Sequence, residues 1–227
     1  MRALTHLAPR AGAGDRFAAC VGELVATLRE RAATRGLAVN ALSRLERDAF
    51  GKHTPFRAAL EITGGDGHGA AFDDLFVDLG DRIADVAHPD LSTLLVGRDV
   101  VFVEPPARSP VRYQYLMRRN ASFTHESYLE RYRAIHSRFG RITPGIQGYV
   151  QLHVDLGASQ RLAARAGLGV WGCDSVSELH LESQETFLRA LAESGFGTEP
   201  IADEEIFVDR ARSHDLCSAV EWGARIG

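Results

Sequence analysis

Lysine is all but missing from this chain: Lys52 is the only one, and arginine carries the remaining positive charge. Schiff-base chemistry therefore has Lys52 alone to draw on, and no phosphate-loop lysine motif exists. Cysteine is scarce as well. Cys20, Cys173 and Cys217 are widely spaced and form neither a C-x-x-C pair nor a disulfide framework, which predicts a reducing compartment. Cys173 beside Gly172 has no recognisable histidine partner for nucleophilic work. No apolar run approaches the ~20 residues of a membrane helix. The opening stretch Met1–His6 is too short and polar for a signal peptide. These absences predict a cytoplasmic protein without a membrane partner. A basic excess is lacking too: the formal net charge is −4, so no nucleic-acid partner is expected. There is no Gly-x-Ser-x-Gly elbow, and Gly12-x-Gly14 lacks the third glycine of a dinucleotide turn.

What is present is one pattern written twice. The chain has 227 residues, 45% of them hydrophobic, enough for a substantial core. Arg2–Leu7 reads as a strand, and Asp15 is a candidate cap for a helix carrying Phe17, Val21, Leu24, Val25 and Leu28. Strands over 37–45 and 55–62 follow. The glycines at 64, 65, 67 and 69 mark a turn, Phe72, Leu75, Phe76, Leu79 and Ile83 a second helix, and Leu94–Val103 a closing strand. A linker, 104–110, contains Pro105, Pro106 and Pro110. The order then recurs: strand 112–117, a helix capped by Thr124 with Glu126 in its first turn, strand 146–156 and a short helix 159–166. Strand 176–181, helix 184–192, a helical turn at 203–209 and strand 216–222 complete it.

This predicts an α+β protein: two ferredoxin-like βαββαβ units, 1–104 and 111–227, packed sheet to sheet as an intramolecular α+β barrel. Each antiparallel sheet carries helices on one face and must bury the other. Fusion through the linker makes that pairing intramolecular.

Candidate chemistry gathers in the second half. Tyr128, Tyr132 and His136 recur at i, i+4, i+8 and share one helical stripe flanked by Leu129 and Ile135. An imidazole beside phenols can exchange protons near neutral pH; the same stripe also reads as core aromatics with a hydrogen-bonded histidine. In strand 146–156, Gln147, Tyr149, Gln151, His153 and Asp155 share one face. In strand 176–181, Val176, Glu178 and His180 do. Glu178 and His180 suit a proton-transfer pair or metal ligands, and equally a hydrogen-bonded interior network. A metal site would need two or three of His136, His153, His180 and Glu178 to converge, and no short diagnostic spacing supports one. The single histidines of the first half, His6, His53, His68 and His88, read as surface or core residues.

The second half resembles the EthD domain family, within the dimeric α+β barrel superfamily, over residues 111–222. Tyr115-Leu116-Met117-Arg118-Arg119 is similar to that family's opening strand, and Thr124-His125-Glu126-Ser127-Tyr128 to its helix start. Tyr132 stands four residues before His136, where the family has an aromatic, often Trp. Gly148–Val154 and Ser177–Leu181 resemble its second and third strands, and Asp203–Asp209 its late acidic-aromatic segment. Tyr132 for Trp, His180 and Leu181 for aromatics, and the segment 159–172 depart from the pattern. The first half resembles the family only in strand-helix order and reads as a degenerate partner.

The resemblance implies an enzyme or binding protein for a small molecule. The leading expectation is a cofactor-independent lyase, isomerase or cyclase acting on a small apolar ring compound, an aromatic, lactone or polyketide intermediate. His136 would be general acid or base, with His153 and His180 as further candidates. Tyr128, Tyr132, Tyr149 and Glu178 would bind or orient. No cofactor and no metal are expected, and a homodimer is compatible with the pattern. The alternatives are a haem or metal enzyme using His136 or His153, a cofactor-free monooxygenase, and a non-catalytic accessory protein.

Overall fold

The computed structural model describes residues 1–51, 53–64 and 72–221. Lys52, His68, the glycines at 65, 67 and 69, and Trp222 lie outside them. In chain order the strands are β1 (Arg2–Leu7), β2 (Ala38–Arg44), β3 (Ala58–Thr63), β4 (Thr93–Val103), β5 (Val111–Met117), β6 (Ile146–Val154), β7 (Ser175–Leu181) and β8 (His214–Glu221). They close into one antiparallel barrel in the order β1-β3-β2-β8-β5-β7-β6-β4. The strands before the linker run β4-β1-β3-β2 and those after it β8-β5-β7-β6, the same pairing order. Instead of two sheets merely facing each other, the groups are hydrogen-bonded at both seams, β2 to β8 and β4 to β6. Closure satisfies backbone groups that four-stranded sheets would leave open at their edges.

Helices cover the outside: α1 (Gly14–Ala33), α2 (Leu79–Ile83), α3 (His125–Arg131), α4 (Ser137–Ile142), α5 (Leu156–Ala166), α6 (Gln184–Ser194) and α7 (Glu199–Phe207), with a π-helical turn at Tyr132–His136 joining α3 to α4. Asp15 lies in the first turn of α1 and does not cap it; Ala13 holds the cap position without a side-chain bond. The apolar stripe 72–83 is buried as expected, but only 79–83 is helical. Alternation sorts the strand residues. Ala3, Leu7, Val39, Leu60, Ile62 and Val96 pack outward against Phe17, Leu24 and Leu28 of α1. Leu4, Leu42, Leu95, Leu116, Leu152, Val176 and Leu216 point inward and fill the middle of the barrel.

The lumen is not wholly apolar. Arg2 of β1 and Arg112 of β5 meet Glu61 of β3 and Glu178 of β7 in a square of alternating charge. Nη1 of each arginine lies 2.8–3.0 Å from Oε1 of both glutamates. Asn40 and Gln114 donate to the outer carboxylate oxygens of Glu61 and Glu178 at 2.9 and 2.8 Å. Burial disfavours these charges, but Arg112 and Arg2 together hold both glutamates below the usual carboxylate range.

His6 also faces the lumen, 3.1 Å from Gln114 Oε1, and burial lowers its pKa to about 4. The unfolded chain therefore takes up a proton near pH 6.5 that the folded chain refuses. Stability should fall by about 3 kcal/mol from this residue alone as the pH drops from 6.5 to 4. Urea denaturation of wild type and His6→Gln at pH 7 and pH 4 tests this: the acid penalty should be smaller in the variant.

The linker crosses one mouth of the barrel. A Cβ on Gly148 would stand 2.6 Å from Pro105. Gly148→Ala should therefore cost roughly 1–3 kcal/mol, read as a lowered denaturation midpoint.

Candidate active site

The helix expected over 124–138 forms, capped as predicted. The Thr124 hydroxyl accepts from the Ser127 backbone N–H at 3.2 Å. Its inner stripe carries Tyr128, Tyr132 and His136, all buried. The π turn spans Tyr132–His136, inserting an extra residue into the helical repeat where the histidine is presented; such turns are frequent at functional sites. The rings of Tyr128 and Tyr132 are 6.0 Å apart, and those of Tyr132 and His136 5.8 Å. Phe139 and Phe207 close on His136 at 5.5 and 5.2 Å.

α7 supplies the polar partners. Pro200 sits in its first turn, and Asp203 and Phe207, one helical turn apart, both face inward. Asp203 Oδ2 lies 2.9 Å from His136 Nδ1 and its other oxygen meets Arg131. Glu204 Oε1 stands 3.7 Å from His136 Nε2, and Arg210 donates to Oε2 at 3.3 Å. Burial lowers the His136 pKa, partly offset by the Asp203 hydrogen bond. Burial raises Glu204 to about 7, opposed by Arg210 and helped by Asp203 and Asp215. Near neutrality the pair thus comprises an imidazole free at Nε2 and a carboxyl that can hold a proton.

The remaining candidates divide between the two faces of the sheet. Tyr149 and His153 lie on the outer, helix-facing side. The Tyr149 hydroxyl accepts from Gln151 at 2.6 Å, and Gln151 Oε1 lies 2.9 Å from His153 Nε2. The His153 ring is 6.0 Å from that of Tyr132. Burial, with Arg133 nearby, lowers the His153 pKa to about 4, so the ring is neutral in ordinary buffers. Burial raises the phenols of Tyr128, Tyr132 and Tyr149, which stay neutral donors. Glu178 and His180 lie across the barrel wall, in the lumen. His180 Nε2 is 3.2 Å from Glu178 Oε1 and its Nδ1 3.1 Å from Ser109 Oγ. They border a cavity of about 630 Å³ at the mouth crossed by the linker. The structure therefore brings Tyr128, Tyr132, His136, Tyr149 and His153 to one side and separates Glu178 and His180 from them.

Sequence reasoning assigned no role to Asp203 and Glu204, although the acidic run 203–205 before Phe207 was the available signal. It also missed Arg2, Glu61 and Arg112, which the pattern betrays as single charges inside otherwise apolar strands.

The residues around His136 do not fit a haem. Both ring nitrogens face carboxylates, and Tyr132, Phe139 and Phe207 occupy the space where a macrocycle would stack. His153 Nε2 is engaged by Gln151. Among the described residues, no group of three or more His, Cys, Asp or Glu is placed to hold a metal ion. No helix among them is long and apolar enough to cross a membrane.

The barrel and its outer helices define the α+β barrel class of ferredoxin-like proteins, and solved structures share the fold. An anthrone oxidase-like protein superimposes with a TM-score of 0.63 at 11% identity, covering 100% of this chain and 94% of that one. A candidate monooxygenase from Lactobacillus acidophilus NCFM gives 0.51 at 9%, covering 99% and 95%. A mutant chlorite dismutase from Candidatus Nitrospira defluvii gives 0.51 at 8%, covering 97% and 90%. At these identities the likeness shows the fold alone. Residues 120–211, from α3 through α7, match the EthD domain, and over that span the resemblance read from the sequence is borne out. No curated protein matches the chain.

Proposed function

We propose that the protein is a cofactor-independent enzyme that moves a proton at carbon on a small, largely apolar ring compound, in a lyase, isomerase or cyclase reaction. The observation that carries this reading is the His136–Asp203–Glu204 cluster. Asp203 holds the imidazole by Nδ1, which leaves Nε2 as the base. Glu204, 3.7 Å from Nε2, is too far for a direct hydrogen bond but within reach of one bridging atom. A proton removed by His136 can be returned by Glu204 at a second position. Tyr132, Phe139 and Phe207 form an aromatic wall suited to a ring, and neutral Tyr132 is the nearest phenol to donate to a developing oxyanion. His136 does not line the 630 Å³ cavity at the linker mouth, so a substrate would enter by displacing side chains at the half-exposed Ile135 and Ile206 rim. The repeated pairing order supports the companion inference that 1–104 and 111–227 are two ferredoxin-like units, the first serving as partner to the second.

The test is deuterium exchange in D₂O into a panel of ring lactones and phenolic ketones, followed by mass spectrometry. Wild type should catalyse exchange into at least one, and folded His136→Ala should not. Exchange that survives in His136→Ala would refute the mechanism. Cofactor-free oxygenation of a phenol would begin with the same proton removal, and two structural neighbours are described as an oxidase-like protein and a candidate monooxygenase. Oxygen consumption with a phenolic substrate would favour that second reading.

A further inference from the structure

The barrel end away from the linker carries two cavities of opposite character. One, about 260 Å³, is chiefly apolar, walled by Leu94, Leu95, Leu156, Ala163, Trp171 and Cys173. The other, about 380 Å³, is walled by Arg118, Arg119, Arg212 and Asp174. Arg119 and Gly172 belong to both walls, so the apolar pocket opens into the cationic one. Trp171 and Gly172 come from the segment that departs from the EthD pattern, and Cys173 follows it. That segment is anchored: the Gly169 N–H donates to Pro89 O at 2.8 Å, and Gly169 bridges to Thr93.

The charges at this mouth do not cancel. Asp174 is met by both Arg119 and His125, at 2.5 and 2.8 Å. Arg212 pairs with Asp209. Arg118 has no carboxylate partner among the described residues; its Nε is buried without a hydrogen-bond partner, and its guanidinium lies 5.6 Å from the centre of the Trp171 ring. A buried donor left unpaired is costly unless a ligand completes it.

We propose that this joined pocket binds a small carboxylate with a compact apolar body. The carboxylate sits on Arg118 and Arg119, for which a planar guanidinium is the matching donor. The body lies on Trp171 and the leucines behind it. The site is independent of His136, which lines neither cavity.

Trp171 makes the test direct. The only other tryptophan is Trp222, so Trp222→Phe leaves an emission that reports this pocket. Titration with hexanoate up to about 10 mM should give a saturable change, with hexan-1-ol binding more weakly. Arg118→Gln should weaken hexanoate about ten-fold and leave hexan-1-ol unchanged, as loss of one charge-assisted contact predicts. Ala163→Leu, which fills the apolar end, should abolish both; it serves equally if Arg118→Gln fails to fold by circular dichroism. No saturable change with hexanoate, equal affinity for acid and alcohol, or undiminished hexanoate binding in a folded variant would each overturn the proposal.

Discussion

Glu178→Leu should cost about 3–5 kcal/mol of folding stability, a large share of what a domain of this kind possesses. Oε1 of this residue is where Arg2, Arg112 and His180 converge, and Oε2 takes the Gln114 amide. Removing it leaves two buried guanidiniums with Glu61 and the half-exposed Asp99 as their remaining carboxylates. In the low dielectric of the lumen, the loss of the carboxylate shared by both guanidiniums outweighs the gain from the added methyl groups. The paired replacement Arg112→Met with Glu178→Leu should lose clearly less than the sum of the single losses, because both changes remove the same ion pair. Guanidinium denaturation of the four chains closes the cycle. A loss of under about 1 kcal/mol for the single change would mean that the square is solvated and contributes as little as a surface pair.

His136→Ala, in a chain shown to be folded, should lower turnover by about 10²–10⁴-fold, the range expected when a general base is removed. The pH profile separates base from acid. Burial lowers the His136 pKa, so the free imidazole gains population as pH rises through a value below 6.5. Glu204 holds its proton up to about pH 7 and loses it above. Turnover should therefore rise on the acid side, peak between the two values and fall beyond about 7. Glu204→Gln should remove the alkaline fall while lowering the maximum. A profile with an unchanged alkaline limb in that variant would take Glu204 out of the mechanism. Asp203→Asn, which offers Nδ1 a weaker acceptor, should move the acid limb to lower pH and lower the maximum, because the imidazole becomes a poorer base.

Much of the architecture could be read in the sequence because periodicity reports burial directly. The alternation in Ile146–Val154 and the 3.6-residue stripe of Tyr128, Tyr132 and His136 appear in the structure as the two sides of one interface. What alternation cannot say is which side of a strand faces helices and which faces the lumen. Glu178 and His180 therefore looked equally available to the His136 site, although the barrel wall stands between them. The ion square was hidden for a related reason: its members are separated by up to 176 positions, and only ring closure brings them together. The partners of His136 escaped because α7 docks on the stripe from 67 residues away in sequence, through a contact no local pattern encodes. The π turn has no simple sequence signature either.

Ring closure also governs self-association. A sheet of four strands normally recruits its twin through a free margin or an uncovered face, but here β2 and β4 are already occupied by β8 and β6, and both faces are in use. A second copy would dock against the helical exterior, where Ile142, Leu188 and Ile201 are among the exposed apolar side chains. Dimers of this protein would thus be glued helix to helix, leaving each ring whole and each subunit chemically self-sufficient.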